Sequence, residues 1–255
     1  MTVLPLQSPF RGLPSYEKQE PAIDHLWVVV PFSRPGMIAS VQANLDRQSF
    51  RNFSVLIARN GAASDVHFPN ADMNVSFAES KPRVGKVRNT ALDALFERDP
   101  NAYWVGMDDD DWYGPEYLAE HAALAKPGRL VGKSTHWVHM RGELLLFNAN
   151  LYANQKGSHL NGATMGGFVR EMPRFPENVA WGEDTRFSAE FAYKGGEVWL
   201  SSIYHTVYCR RSEGHTFFGD FFATFGSAWA FPEAFLESLP AALPVEYPSP
   251  TKRSK

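Results

Sequence analysis

The sequence predicts a single α/β domain with a mostly parallel central sheet and flanking helices. Continuous apolar runs rich in β-branched residues, at 26–30 and 53–58, are typical of strands that are buried on both faces of a parallel sheet. Segments with apolar residues at helical spacing lie between these runs. Strands and helices that alternate in this way build an open sheet with right-handed crossovers, which is the fold class we expect.

The first half of the chain gives the clearest elements. They are a strand at 26–30, a helix over 37–45, strands at 53–58 and 74–77, a helix entered through 84–89, and a strand at 103–107. The apolar positions of the second helix, which we expect to face the core, include Ala91, Leu92, Leu95 and Phe96.

The second half is less regular. The runs 130–133 and 144–147 predict strands around a polar stretch that forms either a hairpin or a longer excursion. The glycine-rich segment 161–168 suits a tight bend or a close approach of backbone to a ligand. The remaining predicted elements are a helix after Trp181 that ends at Gly195-Gly196, strands at 197–200 and 203–208, and an aromatic helical segment from 217 onward.

Composition narrows the classes of function. Hydrophobic residues make up 44% of the 255 residues, which is enough for a sizeable core. The net charge of −3 provides no field that would attract nucleic acid, and the single cysteine, Cys209, allows neither an internal disulfide nor a thiolate metal cage. The N-terminus lacks the pattern of a secretory signal, and no apolar run approaches the ~20 residues of a membrane-spanning helix. We therefore expect a soluble, cytoplasmic protein.

Four consecutive aspartates, Asp108 to Asp111, directly follow the predicted strand at 103–107. Adjacent carboxylates repel one another, so a compensating positive charge is expected beside them. Oxygen-only clusters suit hard divalent cations such as Mg²⁺ or Mn²⁺, usually shared with phosphate oxygens. The alternative is a solvated acidic turn before a helix. Because ligands of open α/β sheets bind beyond the carboxyl ends of the strands, this position is the first candidate for a ligand site.

Six features, taken in order, resemble the family 2 glycosyltransferases of the GT-A fold, over residues 26–215. They are the strand and turn 28–34, the Asn60-Gly61 turn, the segment 85–89 before a helix, the acidic box 107–111, the pair Glu183-Asp184, and a late histidine. Each feature alone is weak, whereas six in order at the expected strand ends are fairly specific. The resemblance implies a GT-A (Rossmann-like) domain that transfers a sugar, with inversion, from a nucleotide-diphosphate sugar to an acceptor hydroxyl.

The resemblance also implies a divalent cation, Mn²⁺ or Mg²⁺. Asp108 and Asp110 match the Asp-x-Asp pair of the family, with Asp110 touching the metal, although a shift of register by one residue would give that role to a neighbouring aspartate. His215 is the candidate for the remaining protein ligand, and His205 is the alternative. A cation that bridges the two phosphates stabilises the diphosphate leaving group.

For the general base that removes the proton of the acceptor hydroxyl, the matching residue is Asp184, with Glu183 orienting it or the acceptor. Neighbouring residues on a helix point about 100° apart, so the two carboxylates are not expected to face the same atom. The alternative is that both simply cap the positive end of a helix.

The donor is expected to lie across the strand ends. By resemblance, the residues that contact the nucleotide sugar are Pro31, Ser33, Arg34, Asn60, Lys86, Arg88, Asn89, Asp108 and Asp109. A UDP-sugar is the default donor. Arg59, however, stands approximately where many relatives carry an aspartate that reads the uracil edge, which leaves the base open.

The acceptor is expected to be a sugar or glycan whose identity the sequence does not reveal. Candidate lining residues are His136, Trp137, His139, Arg141, Trp181 and the glycine-rich segment, although a hydrophobic core with a polar loop explains them equally well. The aromatic segment 217–231 could support a homodimer, and no nucleic acid partner is expected.

These expectations divide the chain into four regions. Residues 1–24 form an irregular N-terminal arm, 25–130 the nucleotide-sugar-binding half, 131–216 the acceptor-binding and catalytic half, and 217–255 an aromatic-rich C-terminal helix and tail. Two other functions remain open at this point. One is nucleotidyl transfer on a related fold, and the other is a non-catalytic metal- or carbohydrate-binding module.

Overall fold

A computed structural model describes residues 19–59, 68, 71–77, 82–140, 143–148, 160–179, 182–202 and 205–210. Most of the predicted N-terminal arm and the whole aromatic segment from 217 lie outside these residues. Asn60, Arg141, Trp181 and His215, which the sequence nominated for the site, also lie outside them. No helix within the described ranges combines the length and apolarity that crossing a membrane requires.

Seven strands form the central sheet, in the order β10-β6-β9-β4-β1-β2-β3. Their bounds are β1 Leu26–Phe32, β2 Phe53–Arg59, β3 Met73–Ser76, β4 Tyr103–Gly106, β6 Arg129–Gly132, β9 Gly166–Phe168 and β10 Glu197–Leu200. Strand β1 pairs in parallel with β2 and β4, β2 with β3, and β10 with β6. Only β9 is antiparallel to its neighbours β4 and β6. The prediction of an α/β domain with a mostly parallel sheet is confirmed.

Within the described ranges, the α-helices are α1 Ile38–Asp46, α2 Val84–Arg98, α3 Tyr117–Leu124 and α4 Glu183–Tyr193. Short 3₁₀ helices lie at Pro35–Met37, Gly162–Thr164 and Val169–Glu171. The segment 84–89, expected to precede a helix, already belongs to α2. Phe96, expected on its apolar face, is 46% exposed.

A second sheet of four strands, in the order β5-β11-β7-β8, lies beside the first. It contains β5 Trp112–Tyr113, β7 Thr135–Met140, β8 Glu143–Asn148 and β11 Thr206–Arg210. Strands β7 and β8 form a hairpin, but it is not the hairpin between the runs 130–133 and 144–147 that the sequence offered as one alternative. Its first strand lies inside the stretch that was expected to be a polar connection, while residues 129–132 belong to the central sheet. The helix end at Gly195 and the strand at 197–200 are as predicted.

Two hydrophobic cores lie on opposite faces of the central sheet, and β1 contributes to both because its side chains alternate. Leu26, Val28 and Val30 pack in one core, which also contains buried residues of α1 and α3. Trp27 and Val29 pack in the other core, with buried residues of α2 and α4. A strand buried on both faces therefore explains the continuous apolar run at 26–30.

The candidate site lies at one edge of this sheet. Because β1, β4 and β6 all run in the same direction, their carboxyl ends meet there, and the antiparallel β9 begins there. Residues that follow β1 (Ser33, Arg34) and β4 (the acidic run) therefore face one another, and contacts across the edge bring in α2 and the start of α4.

Candidate active site

The four aspartates that follow β4 have different surroundings. Asp109 is almost completely buried, and its oxygens accept hydrogen bonds from the backbone amides of Ser33 (2.8 Å) and Arg34 (3.0 Å). The Arg34 guanidinium also donates to it, at 2.5 Å. Burial raises the pKa of Asp109, and the charge of Arg34 opposes that shift. With this many protein donors, Asp109 holds the turn after β1 against the end of β4, so its oxygens are poorly placed to bind a ligand.

Asp110 shares the same arginine. Its Oδ2 atom lies 3.2 Å from Nη2 of Arg34, whose side chain is 34% exposed, while the Asp110 side chain is only 5% exposed. Asp111 is buried, and its carbonyl accepts a hydrogen bond from Asn44 of α1. The positive charge that the acidic run was expected to require is thus supplied in part by Arg34 of the β1 turn.

Asp108 is the most exposed aspartate of the run, and it interacts with a second arginine. Its Oδ1 atom lies 3.2 Å from Nη2 of Arg88, and 29% of its side chain is exposed. Arg88 projects from the first turns of α2, is 7% exposed and donates from Nη1 to Glu183 at 2.8 Å. Arg88 therefore joins the acidic strand end to the pair Glu183-Asp184, which are distant in the sequence.

The start of α4 gives different roles to its two carboxylates. Burial raises the pKa of Glu183, the neighbouring Asp184 raises it further, and Arg88 opposes the shift. The ion pair with Arg88 commits Glu183 to that cation. Asp184 is half-buried, and its Oδ2 atom accepts a hydrogen bond from the amide of Gly162 at 3.2 Å. Its Oδ1 atom accepts from the amide of Thr185 at 2.7 Å, so one oxygen interacts with the helix end, as the capping alternative expected.

Gly162 lies at the centre of these contacts. It begins the 3₁₀ turn Gly162–Thr164. Two hydrogen bonds join this turn to Lys133, which follows β6: the carbonyl of Lys133 accepts from the amide of Asn161, and the amide of Lys133 donates to the hydroxyl of Thr164. A Cβ atom on Gly162 would collide with the guanidinium of Arg88. The close backbone approach predicted for the glycine-rich segment is therefore used to seat Arg88 and Asp184.

A small pocket lies at this edge of the sheet. Its lining residues are Val29, Pro31, Arg88, Leu92, Trp104, Gly106, Asp108 and Gly162. Pro31, Arg88 and Asp108, each predicted for the donor site, thus share one pocket. Lys86 lies on the exposed face of the first turn of α2.

Other nominated residues are placed differently. The side chain of Asn89 is buried, and it bonds to the backbone of Phe175 and to Glu177, so it holds the segment before α4 against α2. His136 and Trp137 are both 2% exposed, so core packing, the alternative considered for them, accounts for them. His205, the alternative late ligand, is partly buried, and this burial lowers its pKa to about 4.

The oxygen donors at this edge suit a hard divalent cation. Among the residues that the structure describes, no group of three or more histidine, cysteine or acidic side chains is arranged to hold a metal ion. Mg²⁺ in nucleotide sites, however, is held by one or two carboxylates together with substrate phosphates and water. Asp108 and Asp110 could provide that pair of carboxylates, whereas Asp109 is already saturated by protein donors.

Tyr113 and Asn44 were not predicted to belong to the site. The Tyr113 hydroxyl accepts a hydrogen bond from the amide of Asp108 and donates to the carbonyl of Ala163. Asn44 of α1 bonds to the amide of Tyr113 and the carbonyl of Asp111. Neither residue belongs to a recognisable motif, because Tyr113 bonds to the distant carbonyl of Ala163 and Asn44 bonds to backbone groups of the distant residues Asp111 and Tyr113.

Comparison with known proteins supports the fold. No protein-family model matches the chain, and no curated protein sequence matches it either. Among solved structures, the chain is similar to the mannosyltransferase PcManGT from Pyrobaculum calidifontis, in complex with GDP-Man and Mn²⁺. The TM-score is 0.54 and the sequence identity 16%, over 79% of this chain and 61% of the mannosyltransferase chain. The chain thus spans less than two thirds of that protein and has the fold of a glycosyltransferase.

Proposed function

We propose that this protein is a glycosyltransferase that moves a sugar from a nucleotide-diphosphate sugar to an acceptor hydroxyl, with the help of a divalent cation and with inversion at the anomeric carbon. The observation that supports it best is the double ion pair of Arg88. This arginine joins Asp108 at the end of β4 to Glu183 at the start of α4, so that the residues proposed for the donor and for the acceptor meet at one edge of the sheet.

On the donor side, Asp108 and Asp110 would hold the cation, which would supply Lewis-acid stabilisation to the diphosphate leaving group. Pro31, Ser33 and Arg34 lie where the nucleoside would rest, and the exposed Lys86 can reach a phosphate. Arg88 keeps Asp108 in place and adds positive charge beside the diphosphate. His215, outside the described residues, remains the proposed late ligand.

On the acceptor side, Asp184 is the proposed general base. Its Oδ2 atom is held by the Gly162 amide, and a carboxylate fixed in this way can take the proton of a hydroxyl that attacks the anomeric carbon. Glu183 does not compete for that proton because its charge is paired with Arg88. Direct displacement by the acceptor, with no covalent intermediate, leads to inversion.

The first test is a calorimetric or thermal-shift screen of UDP, GDP, CDP, ADP and dTDP, each with and without Mn²⁺. A ligand that binds only the folded state raises its apparent stability by mass action. UDP was the default from the sequence, and GDP is included because the similar mannosyltransferase was solved with GDP-Man. Stabilisation by one nucleotide only when Mn²⁺ is present is the expected result. Indifference to all five would contradict the proposal.

Asp110→Ala should weaken the binding of Mn²⁺ and of the nucleotide together, because the phosphates depend on the charge of the cation. Calorimetric titration of each ligand measures this. Asp93→Asn, which removes an exposed carboxylate of α2 that pairs with Arg174, is the matched control and should change neither affinity. Unchanged nucleotide affinity in the Asp110 variant would remove Asp110 from the donor site.

Asp184→Asn should keep nucleotide binding and lower turnover by at least about 10²-fold, the loss that is typical when a general base is removed. Turnover is measured as nucleoside diphosphate released in the presence of an acceptor. The same assay separates the two kinds of transferase, because nucleotidyl transfer would release pyrophosphate instead. A non-catalytic binding module would bind the nucleotide equally well in both proteins and release neither product.

A further inference from the structure

The hydroxyl of Tyr113 connects the donor side of the proposed site, at the end of β4, with the turn that contacts the acceptor side. It accepts a hydrogen bond from the backbone amide of Asp108 at 2.7 Å and donates one to the carbonyl of Ala163 at 2.9 Å. The side chain is fully buried, so water does not replace these bonds. One oxygen atom therefore ties the end of β4 to the 3₁₀ turn Gly162–Thr164.

That turn also holds the proposed base. The amide of Gly162 donates to Asp184, and Ala163 is the next residue in the chain. The path from Asp108 through the Tyr113 hydroxyl to Ala163 and Gly162 ends at Asp184. Each step of this path is a hydrogen bond, except the covalent connection between Ala163 and Gly162 within the turn. A second path runs through Arg88, which pairs with both Asp108 and Glu183.

Tyr113 is itself held in place. Its amide donates to Oδ1 of Asn44 at 3.0 Å, and the amide group of Asn44 donates to the carbonyl of Asp111 at 2.8 Å. Asn44 is 2% exposed and belongs to α1. The phenol ring also packs against Tyr117, with 4.8 Å between ring centroids. The hydroxyl therefore has a defined position relative to three elements of the fold.

We infer that Tyr113 is a positioning residue for glycosyl transfer: it fixes the separation between Asp108 on the donor side and Asp184 on the acceptor side. The inference rests on the function proposed above. In a displacement reaction the acceptor oxygen, the anomeric carbon and the leaving oxygen must align, and a misplacement of about 1 Å can cost about 10²-fold in rate. Tyr113 acts on this alignment without touching the substrate.

The test compares Tyr113→Phe with Tyr117→Phe. Both changes remove one fully buried hydroxyl from neighbouring rings. The Tyr117 hydroxyl donates to the carbonyl of Gly106 at 2.7 Å and makes a longer contact of 3.4 Å with Ala163, but it does not bond to Asp108. The two variants should therefore lose similar stability in urea unfolding, which makes Tyr117→Phe a matched control for a merely structural effect.

We expect Tyr113→Phe to lower kcat by about 10- to 100-fold while the Kd for the nucleotide with Mn²⁺ and the KM for the donor change less than about threefold. Hydrogen exchange at the Asp108 amide should accelerate in the same variant, a measurement that needs no activity. Tyr117→Phe should keep kcat within about threefold of the wild type.

Three results would overturn the inference. They are a normal kcat in Tyr113→Phe, an equal loss of kcat in Tyr117→Phe, and unchanged exchange at the Asp108 amide. In each of these cases the wild type still transfers a sugar, so the proposed function survives. A wild type that releases no nucleoside diphosphate from any donor would instead overturn the proposed function, and the role of Tyr113 with it.

Discussion

Replacing His121 with glutamine should make the stability of this protein less sensitive to acid. His121 lies on α3 and is completely buried. Burial lowers its pKa from 6.5 to about 3, and the charge of the neighbouring Lys133 acts in the same direction, while Glu120 opposes the shift. The folded protein therefore keeps this ring neutral at pH values where the unfolded chain protonates it.

The sign of the effect follows from the lowered pKa of His121. Below its unfolded value of about 6.5, the unfolded state binds a proton that the folded state does not, so the stability falls as the pH falls. The loss continues down to the folded pKa, about 3, and then levels off. Between pH 7 and pH 5, linkage gives a loss of about 2 kcal/mol from this one group. Since the folded ring is neutral at pH 5, the unfolded pKa alone sets that figure.

The assay is urea unfolding of the wild type and of His121→Gln at pH 7 and pH 5. The decrease in unfolding free energy between the two pH values should be about 2 kcal/mol smaller in the variant. His121→Phe is a second variant that cannot titrate. It should show the same reduced pH dependence, even where its stability at pH 7 differs. An identical decrease in the wild type and both variants would refute the reasoning, because it would mean that the buried ring is protonated in the folded state.

Two other substitutions test the contacts around the site. Gly162→Ala places a Cβ atom against the guanidinium of Arg88 and should displace the residues around it. Turnover, measured by steady-state kinetics, should therefore fall by about 10²-fold. Normal turnover would show that the close contact is unimportant. Lys133→Met leaves Glu120 buried without the cation that lies 2.9 Å away, and should cost about 3–5 kcal/mol in urea unfolding. Lys194→Met, which removes an exposed ion pair, is its control and should cost less than about 1 kcal/mol. Equal losses in these two lysine variants would contradict the importance of burial.

The sequence was sufficient to predict strands β1, β2 and β4 of the central sheet because they are mostly buried on both faces. A run such as 26–30 needs apolar residues at every position, and this pattern is hard to produce in any other element. The second sheet was harder to predict. Residues 135–140 read as part of a polar connection, although they form a strand that pairs with β8 and β11. Pairing with distant strands, rather than local composition, determines that structure.

Strand β9 illustrates a different limit. Gly166 and Gly167 have low strand propensity, so their sequence predicts a bend. In the structure a Cβ atom on Gly166 would lie 2.8 Å from both His121 and the carbonyl of Trp104. Only glycine fits between α3 and β4 at this point, and the requirement comes from elements that are distant in the sequence. The space between α3 and β4, rather than strand propensity, therefore determines that glycine occupies this position.

For the site, the sequence predicted which residues lie near one another better than it predicted what each residue contacts. The acidic run and the pair Glu183-Asp184 do approach one another, because Arg88 pairs with both Asp108 and Glu183. Asp109 and Asn89, both expected to contact the donor, instead hold parts of the backbone together. A motif defines which residue types follow a strand, but the role of each of the adjacent aspartates depends on the hydrogen-bond donors that surround it.

Arg34 and Arg88 would affect how the site binds a donor. Arg34 lies beside Asp109 and Asp110, and Arg88 lies between Asp108 and Glu183, so much of the negative charge at this edge is already offset by the protein. A divalent cation alone therefore gains less from these carboxylates than it would from an uncompensated acidic cluster. A nucleotide diphosphate brings new negative charge, which both the cation and the arginines can stabilise. If the cation and the nucleotide each improve the site for the other, the coupling between them must be reciprocal. The nucleotide should then raise the affinity for the cation by the same factor by which the cation raises the affinity for the nucleotide.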